Sequence, residues 1–180
     1  HNKISELEKS GILIRLKKGL YVVSPKKSGK LLSMELIANH LYGPSYVSME
    51  SALRYYGLIP ESVYITQSMT TKHSREFKNS LGKFEYTQCT KEYFAIGIRH
   101  EIKDNAAFLI AQPEKALCDL IVNTPNLNMR FQKEILTYLE DNLRFDMDAF
   151  FKMDTNIFQQ CALVGKKKST ITNIIKIIKK

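Results

Sequence analysis

The sequence predicts an α+β fold, in which an N-terminal partial winged helix-turn-helix is followed by a mainly antiparallel sheet packed with helices and by a helical C-terminus. Three observations predict it. A helix end, a glycine and a basic-tipped hairpin follow one another within residues 7–23. The apolar period then changes to two between Val63 and Gln112, and a helical period returns after Pro125. A chain of 180 residues is long enough for one sizeable domain or two small ones.

The first segment combines a helix end with a short hairpin. The helix that carries Leu7 is expected to stop at Gly11, because glycine adopts the left-handed closing conformation at little cost. Two apolar runs follow at 12–16 and 20–23, and a Lys-Lys-Gly turn at 17–19 separates them. A helix followed by a basic-tipped hairpin is typical of the second half of a winged helix, in which the helix enters the major groove and the hairpin contacts phosphate. An ordinary hairpin with solvated lysines is the alternative.

Six side chains of this segment are candidates for DNA contact. Three lie on the exposed part of the expected recognition helix and are assigned to bases or phosphates: Asn2, Lys3 and Ser5. Three lie on the expected wing and are assigned to phosphates: Arg15, Lys17 and Lys18. The apolar residues are expected in the core of this small unit: Leu7, Ile12, Ile14 and Tyr21.

The chain divides into three parts. The winged helix is expected to be partial, because a complete one needs further helices before its recognition helix and only six residues precede Leu7. We assign a partial winged-helix DNA-binding domain to 1–24, a linker to 25–32 and a C-terminal α+β domain to 33–180. Proline, glycine and lysines indicate the linker.

The first half of the C-terminal domain should hold two helices and then a sheet. Ser33 and Ser48 are expected to cap the helices, the first of which ends at Gly43-Pro44. Period-two patterns predict four strands: Val63–Met69, Lys83–Cys89, Phe94–His100 and Ala106–Gln112. The polar stretch at 70–80 is the best internal candidate for a binding loop, and a plain surface loop is the alternative. Its basic side chains are Lys72, His73, Arg75 and Lys78.

Helices are expected through the rest of the chain. Pro113 begins one, since proline suits the first helical position. Four more are predicted: Met129–Leu143, Asp146–Lys152, Thr155–Val164 and Ser169–Lys179. The last carries an isoleucine stripe beside lysines. It could dock on its own domain, on a partner or on a membrane surface, and docking on its own domain is the default.

The positive charge is concentrated at the two ends. The net charge of +9 arises from +6 in residues 1–30, −3 in the middle and +6 in residues 166–180. This distribution favours a polyanionic partner for the ends. A basic surface that serves only solubility is the alternative.

The lengths of the apolar runs and the spacing of the cysteines indicate the cellular compartment. The chain has no apolar run of about 18 residues and no charged-then-apolar leader, so we expect neither a membrane protein nor a secreted one. The three cysteines are widely spaced and form no C-x-x-C pair. We therefore expect a cytoplasmic protein with free thiols.

Catalytic motifs are mostly missing. The four histidines and three cysteines have no zinc-ligand spacing, and Gly165-Lys166 lacks the remaining residues of a phosphate loop. Glu101 and Lys103, together with Glu85, resemble the carboxylate and E-x-K arrangement of metal-dependent nucleases. Glu101 and Lys103 lie at an expected hairpin turn. We therefore expect no catalytic residue, metal or cofactor, and we keep a metal-dependent nuclease as the lesser alternative.

Three blocks together give the chain a resemblance to a known family. They are GILIRLKKGLYVVS at 11–24, SYVSMESALRYYGLIP at 45–60 and AQPEKALCDLI at 111–121. In content and order they resemble the AbiEi-type antitoxins of bacterial type IV toxin–antitoxin systems, which are transcriptional regulators with a winged-helix N-terminus. The first helices of that winged helix and the residues after 125 have no counterpart in the resemblance.

The resemblance implies two roles. The winged helix would bind inverted repeats of double-stranded DNA in the operon's own promoter. The C-terminal region would counter a nucleotidyltransferase-like toxin without forming a stable complex with it, as part of phage defence and without catalysis. The main alternative is a protein-interaction module that does not bind DNA and docks through its terminal isoleucine stripe.

Overall fold

The computed structural model describes residues 2–60 and 64–180, and it describes Asn2 by its backbone only. The predicted start of a strand at Val63 lies outside the described residues. Within those two ranges, no helix has both the length and the apolar character that crossing a bilayer requires.

The N-terminal part consists of a helix and a hairpin. Helix α1 (Asn2–Lys9) leads into strands β1 (Leu13–Lys17) and β2 (Leu20–Val23), which pair antiparallel. The predicted linker contains the single-turn helix α2 (Pro25–Ser28) and is otherwise irregular up to residue 33.

A six-stranded sheet follows. Its strands are β3 (Ser45–Val47), β4 (Ile65–Thr70), β5 (Arg75–Asn79), β6 (Gly82–Gln88), β7 (Ile98–Lys103) and β8 (Ala106–Ala111). Their spatial order is β5-β6-β4-β3-β8-β7. The α+β class is confirmed.

The six-stranded sheet is mixed, and antiparallel pairings are in the majority, as predicted. Three pairings between described strands are antiparallel, and the β4–β6 and β3–β8 pairings are parallel. The sequence interpretation missed β5, which it assigned to the loop at 70–80. Because β5 forms an outer hairpin with β6, the direction of β6 is reversed and it runs parallel to β4.

One strand assignment, that of β7, also needs correction. Residues Lys91–Phe94 form the short helix α5, so the predicted strand Phe94–His100 begins only at Ile98. Thr90 starts α5, since its side-chain oxygen accepts a hydrogen bond from the Tyr93 N–H. The predicted turn between the last two strands is confirmed, with Asp104 and Asn105 both at positive φ.

Three longer helices pack near the sheet: α3 (Met34–Leu41), α4 (Met49–Tyr55) and α6 (Pro113–Asn123). Ser33 caps α3 as predicted, because its Oγ accepts a hydrogen bond from the Leu36 N–H at 3.1 Å. The predicted cap at Ser48 is wrong: Ser48 precedes α4, but its hydroxyl donates a hydrogen bond to Asp119 and does not cap the helix.

The C-terminal part is helical. It contains α7 (Gln132–Thr137), a π-helical turn (Tyr138–Asn142), α8 (Met147–Phe150), α9 (Thr155–Val164) and α10 (Lys168–Ile178). The predicted helix Met129–Leu143 therefore starts later and changes its hydrogen-bond spacing, whereas Thr155–Val164 is confirmed at both ends.

The isoleucine stripe of α10 belongs to the core. Of the predicted stripe, Ile171 and Ile174 are buried, and Ile175 and Ile178 are half-buried and pack against the core. Ile177 is buried as well, and α10 packs against α9 and α7. Docking on its own domain is therefore confirmed. The stripe is not free to serve as the docking face of an interaction module.

Candidate nucleic-acid interface

Helix α1 lies beside the hairpin and ends where the sequence predicts. Gly11 takes a φ of 72°, and its N–H donates to the Glu8 carbonyl at 3.0 Å. Lys3 and Ser5 are exposed, as candidate DNA-contacting residues must be. The side chain of Asn2, the third candidate on this helix, lies outside the described residues.

The helix itself is not basic. It carries Lys3 and Lys9 but also Glu6 and Glu8, and all four side chains are exposed. The positive charge of the N-terminal part therefore lies in the hairpin and in the segment that follows it.

The tip of the hairpin is exposed and cationic. Gly19 closes the turn at a φ of 80°, a backbone conformation that suits glycine. Arg15 and Lys18 are both exposed, and neither takes part in an ion pair within the described residues. These two predicted phosphate contacts are available to a partner.

Lys17, the third predicted wing contact, is placed differently. Its ammonium group donates a hydrogen bond to the Leu41 carbonyl at 2.5 Å, at the end of α3, and lies 5.9 Å from the centroid of the Phe77 ring. Leu16 beside it is only 5 % exposed. One side of the hairpin thus packs on the rest of the molecule, and Lys17 already has partners inside the chain.

From Lys17 a row of alternating cations and rings continues along strand β5. The guanidinium of Arg75 lies 4.9 Å from the Phe77 ring centroid and 5.8 Å from that of Tyr42. The ammonium of Lys72 lies 5.3 Å from the Tyr42 ring centroid. We call these five residues the cation–aromatic ladder: Lys17, Phe77, Arg75, Tyr42 and Lys72.

The ladder is stabilised by rings and contains no acid. Cations over aromatic faces are attracted by the ring quadrupole, and this attraction leaves their outer hydrogen-bond donors available. Arg75 and Lys72 are exposed and form no ion pair within the described residues. Lys83 on the neighbouring strand β6 differs, since it pairs with Glu76 at 2.9 Å and with Glu85 at 2.6 Å.

The predicted binding loop is therefore an edge strand with a basic surface. Besides Lys72 and Arg75, its His73 and Lys78 are exposed as well. Lys78 and the hairpin residues Arg15 and Lys18 line one shallow depression. The structure thus brings the hairpin cations and the β5 cations onto adjoining surfaces.

The basic C-terminus has mixed uses. The Lys167 ammonium donates to the Ile121 and Thr124 carbonyls, at 2.8 and 2.9 Å, and so closes the end of α6. Burial lowers the pKa of Lys167 below its ordinary value. Other C-terminal lysines are exposed: Lys166, Lys168, Lys176, Lys179 and Lys180.

A buried ionic network lies at the centre of the C-terminal domain. Lys115 and Asp119, one turn apart on α6, are both 0 % exposed, and their charged groups are 2.9 Å apart but poorly aligned for a hydrogen bond. The hydroxyls of Ser48 and Tyr46 donate to the Asp119 carboxylate at 2.6 and 3.0 Å. This network joins strand β3 and the start of α4 to helix α6.

Tyr93 completes the network on the other side of the lysine. The Lys115 ammonium lies 3.1 Å from the Tyr93 ring centroid and 5.7 Å from that of Tyr46. Burial, followed by the Asp119 carboxylate, raises the pKa of both tyrosines above the ordinary range. Both phenols therefore stay neutral in the folded protein.

The nuclease arrangement does not assemble. Glu85 lies on β6 and Glu101 on β7, which are four strand spacings apart, about 19 Å. Glu101 pairs instead with Arg99 at 3.1 Å. Among the described residues, no group of three or more histidine, cysteine, aspartate or glutamate side chains could hold a metal ion.

Sequence interpretation missed two parts of this arrangement. The ladder depends on Tyr42 and Phe77, which are distant in sequence, and only their proximity to cationic side chains in space identifies it. Lys115 and Asp119 did carry a signal, because they are spaced i,i+4 on the otherwise apolar face of α6.

No known protein family matches the sequence, and no curated protein matches it significantly.

Proposed function

We propose that this chain is a DNA-binding transcriptional autoregulator and the antitoxin of a type IV toxin–antitoxin system. Helix α1 and the hairpin serve as the recognition helix and wing of a winged helix. The partner is double-stranded DNA with repeats in the chain's own promoter. The order of the three sequence blocks resembles that of AbiEi-type antitoxins and supports this assignment.

The observation that carries the proposal is the hairpin surface. Arg15 and Lys18 are exposed on it and form no ion pair within the described residues, and Arg75 and Lys72 continue the positive charge along β5. Cations that no acid neutralises attract phosphate, and their binding releases the counterions of the duplex. A basic surface that serves only solubility does not require its cationic side chains to lie apart from acidic ones.

Each side chain then has a stated role. Arg15 and Lys18 contact phosphates from the wing, whereas Lys3 and Ser5, with Asn2, contact bases or phosphates from α1. We no longer assign a phosphate contact to Lys17, because its ammonium donates a hydrogen bond to the Leu41 carbonyl.

The antitoxin role is assigned to the C-terminal domain, 33–180. Its partner in function is a nucleotidyltransferase-like toxin, with which it forms no stable complex. Two of the sequence blocks that resemble the antitoxins meet in this domain, where Ser48 and Tyr46 of one bind Asp119 of the other. We assign these residues to holding the domain together, and no catalytic, metal-binding or cofactor-binding residue to this chain.

Two experiments test the two roles separately. The full chain should retard a labelled duplex from the region upstream of its own gene and should prefer it to a shuffled duplex of equal length. Equal affinity for both duplexes would contradict sequence-specific regulation. Co-expression with a nucleotidyltransferase-like product of the adjacent gene should restore growth that the product alone arrests, and continued arrest would contradict the antitoxin role.

A further inference from the structure

The hairpin contains a β-bulge at Leu16. Arg15 pairs with Tyr21 and Lys17 pairs with Leu20. Tyr21 and Leu20 are adjacent in β2, whereas Leu16 separates Arg15 from Lys17 in β1, so Leu16 is the extra residue. A bulge leaves its extra residue out of the ladder of backbone hydrogen bonds and changes the direction of the side chains beside it. Here Leu16 enters the core, and its carbonyl accepts a hydrogen bond from the Asn79 side-chain amide at 3.2 Å.

Lys17 forms the second attachment on the same side of the hairpin. Its ammonium reaches the Leu41 carbonyl in the last turn of α3, where the final carbonyls of a helix have no partner within the helix. The partial negative charge at that end of the helix also favours a cation. The Phe77 ring covers the ammonium at 5.9 Å.

These contacts fix the hairpin to two different elements of the C-terminal domain, α3 and β5. We propose that Lys17 is a positioning residue for DNA binding, a latch that holds the hairpin at a set orientation so that Arg15 and Lys18 lie on one surface with Lys78. This inference rests on the proposed function. It differs from the expectation for a wing lysine, which is direct contact with phosphate.

The two roles make different demands on the salt dependence of binding. A phosphate contact releases a counterion, so its loss lowers the slope of log affinity against log salt by about 0.9. A residue that only holds the hairpin in place releases no counterion, so its loss leaves the slope unchanged. Its loss lowers the fraction of chains with the hairpin correctly oriented and weakens binding equally at every salt concentration, by up to about tenfold.

The test compares three variants of the full chain: Lys17→Met, Lys18→Met and Asn79→Ser. Lys17→Met keeps the length of the side chain but not the ammonium, and Lys18→Met is the matched change at the exposed tip. Asn79→Ser removes the other attachment without altering charge, while its hydroxyl can still accept from the Leu81 N–H, as the Asn79 oxygen does now. Fluorescence anisotropy with the chain's own upstream duplex is measured across a salt series, with circular dichroism as the check on folding.

We expect Lys17→Met and Asn79→Ser to weaken binding with the wild-type salt slope, and Lys18→Met to lower the slope. Hydrogen exchange of residues 12–23 should become faster in the first two variants and stay unchanged in Lys18→Met. A slope lowered equally by Lys17→Met and Lys18→Met, or wild-type affinity in Lys17→Met, would overturn the latch. A wild-type chain that binds no duplex would instead refute the proposed function.

Discussion

Lys115 and Asp119 form an ion pair from which solvent is fully excluded, with charged groups 2.9 Å apart on successive turns of α6. Removing a charged group from water costs free energy, so the pair is tolerated only because hydroxyls and rings surround it. Ser48 and Tyr46 hold the carboxylate, and the Tyr93 ring covers the ammonium. The pair therefore fixes how β3, α4 and α6 meet.

Replacing Asp119 alone should destabilise the protein strongly. Asp119→Leu leaves the Lys115 ammonium buried without a counter-charge, which should cost about 3–5 kcal/mol of unfolding free energy. The double variant Lys115→Met/Asp119→Leu removes both charges and should recover most of that loss. Urea unfolding of the two variants and the wild type measures the difference. A double variant less stable than Asp119→Leu would contradict the assignment.

Gly165 should not tolerate a methyl group. A Cβ at this position would lie 2.6 Å from the Cys161 carbonyl oxygen and 2.7 Å from Cε2 of Tyr93. Gly165→Ala should therefore cost about 1–3 kcal/mol, because both the Cys161 carbonyl and the Tyr93 ring would have to shift. The exposed neighbour Ser169 provides the control, since Ser169→Ala should change the urea midpoint very little. Equal midpoints for both variants would show that the ring has room to move.

The protein should lose stability as the solution becomes alkaline. Burial raises the pKa of the Cys89 thiol from 9.0 to about 11, and burial raises the pKa of Tyr56 from 10.0 to about 12. A group whose pKa is higher in the folded state stabilises that state fully below its unfolded pKa and loses this contribution as pH rises through the folded value. The urea midpoint should hence stay level up to about pH 9 and fall above it. Cys89→Ser should make the first part of the fall shallower, and an unchanged profile in that variant would contradict the role of the thiol.

Arg75 should contribute to DNA binding from outside the hairpin. Arg75→Gln removes the cation at the centre of the ladder and should lower the salt slope by about 0.9 while the Tyr42 and Phe77 rings stay in place. Lys152→Gln is the matched control, because Lys152 is an exposed cation outside the hairpin and the ladder. If both variants lower the slope equally, the ladder has no special part in binding.

The sequence predicted elements with a clear period and clear ends. Helix Thr155–Val164 was predicted at its observed bounds, and the structure shows that Asp154 caps its start. Strand β5 was missed, since its charged and polar side chains resemble a loop and it needs only β6 as a partner. An edge strand with such side chains is a normal protection against aggregation.

For the candidate site, sequence gave the residue types but not their orientation. Arg15, Lys17 and Lys18 look equivalent in the sequence, yet a bulge of one residue separates the exposed pair from Lys17. The ladder was equally hidden, because Tyr42 meets Arg75 only once the end of α3 lies against the Phe77 and Tyr86 rings. Local patterns cannot encode such contacts between distant residues.

The most direct test of the central claim is the salt dependence of binding to the chain's own upstream duplex. The double variant Arg15→Gln/Lys18→Gln removes the two exposed cations of the hairpin, neither of which forms an ion pair within the described residues. If the tip rests against phosphate, the slope of log affinity against log salt should fall by about 1.8 relative to wild type, with the fold unchanged. A double variant with the wild-type slope would contradict the claim that this hairpin binds DNA.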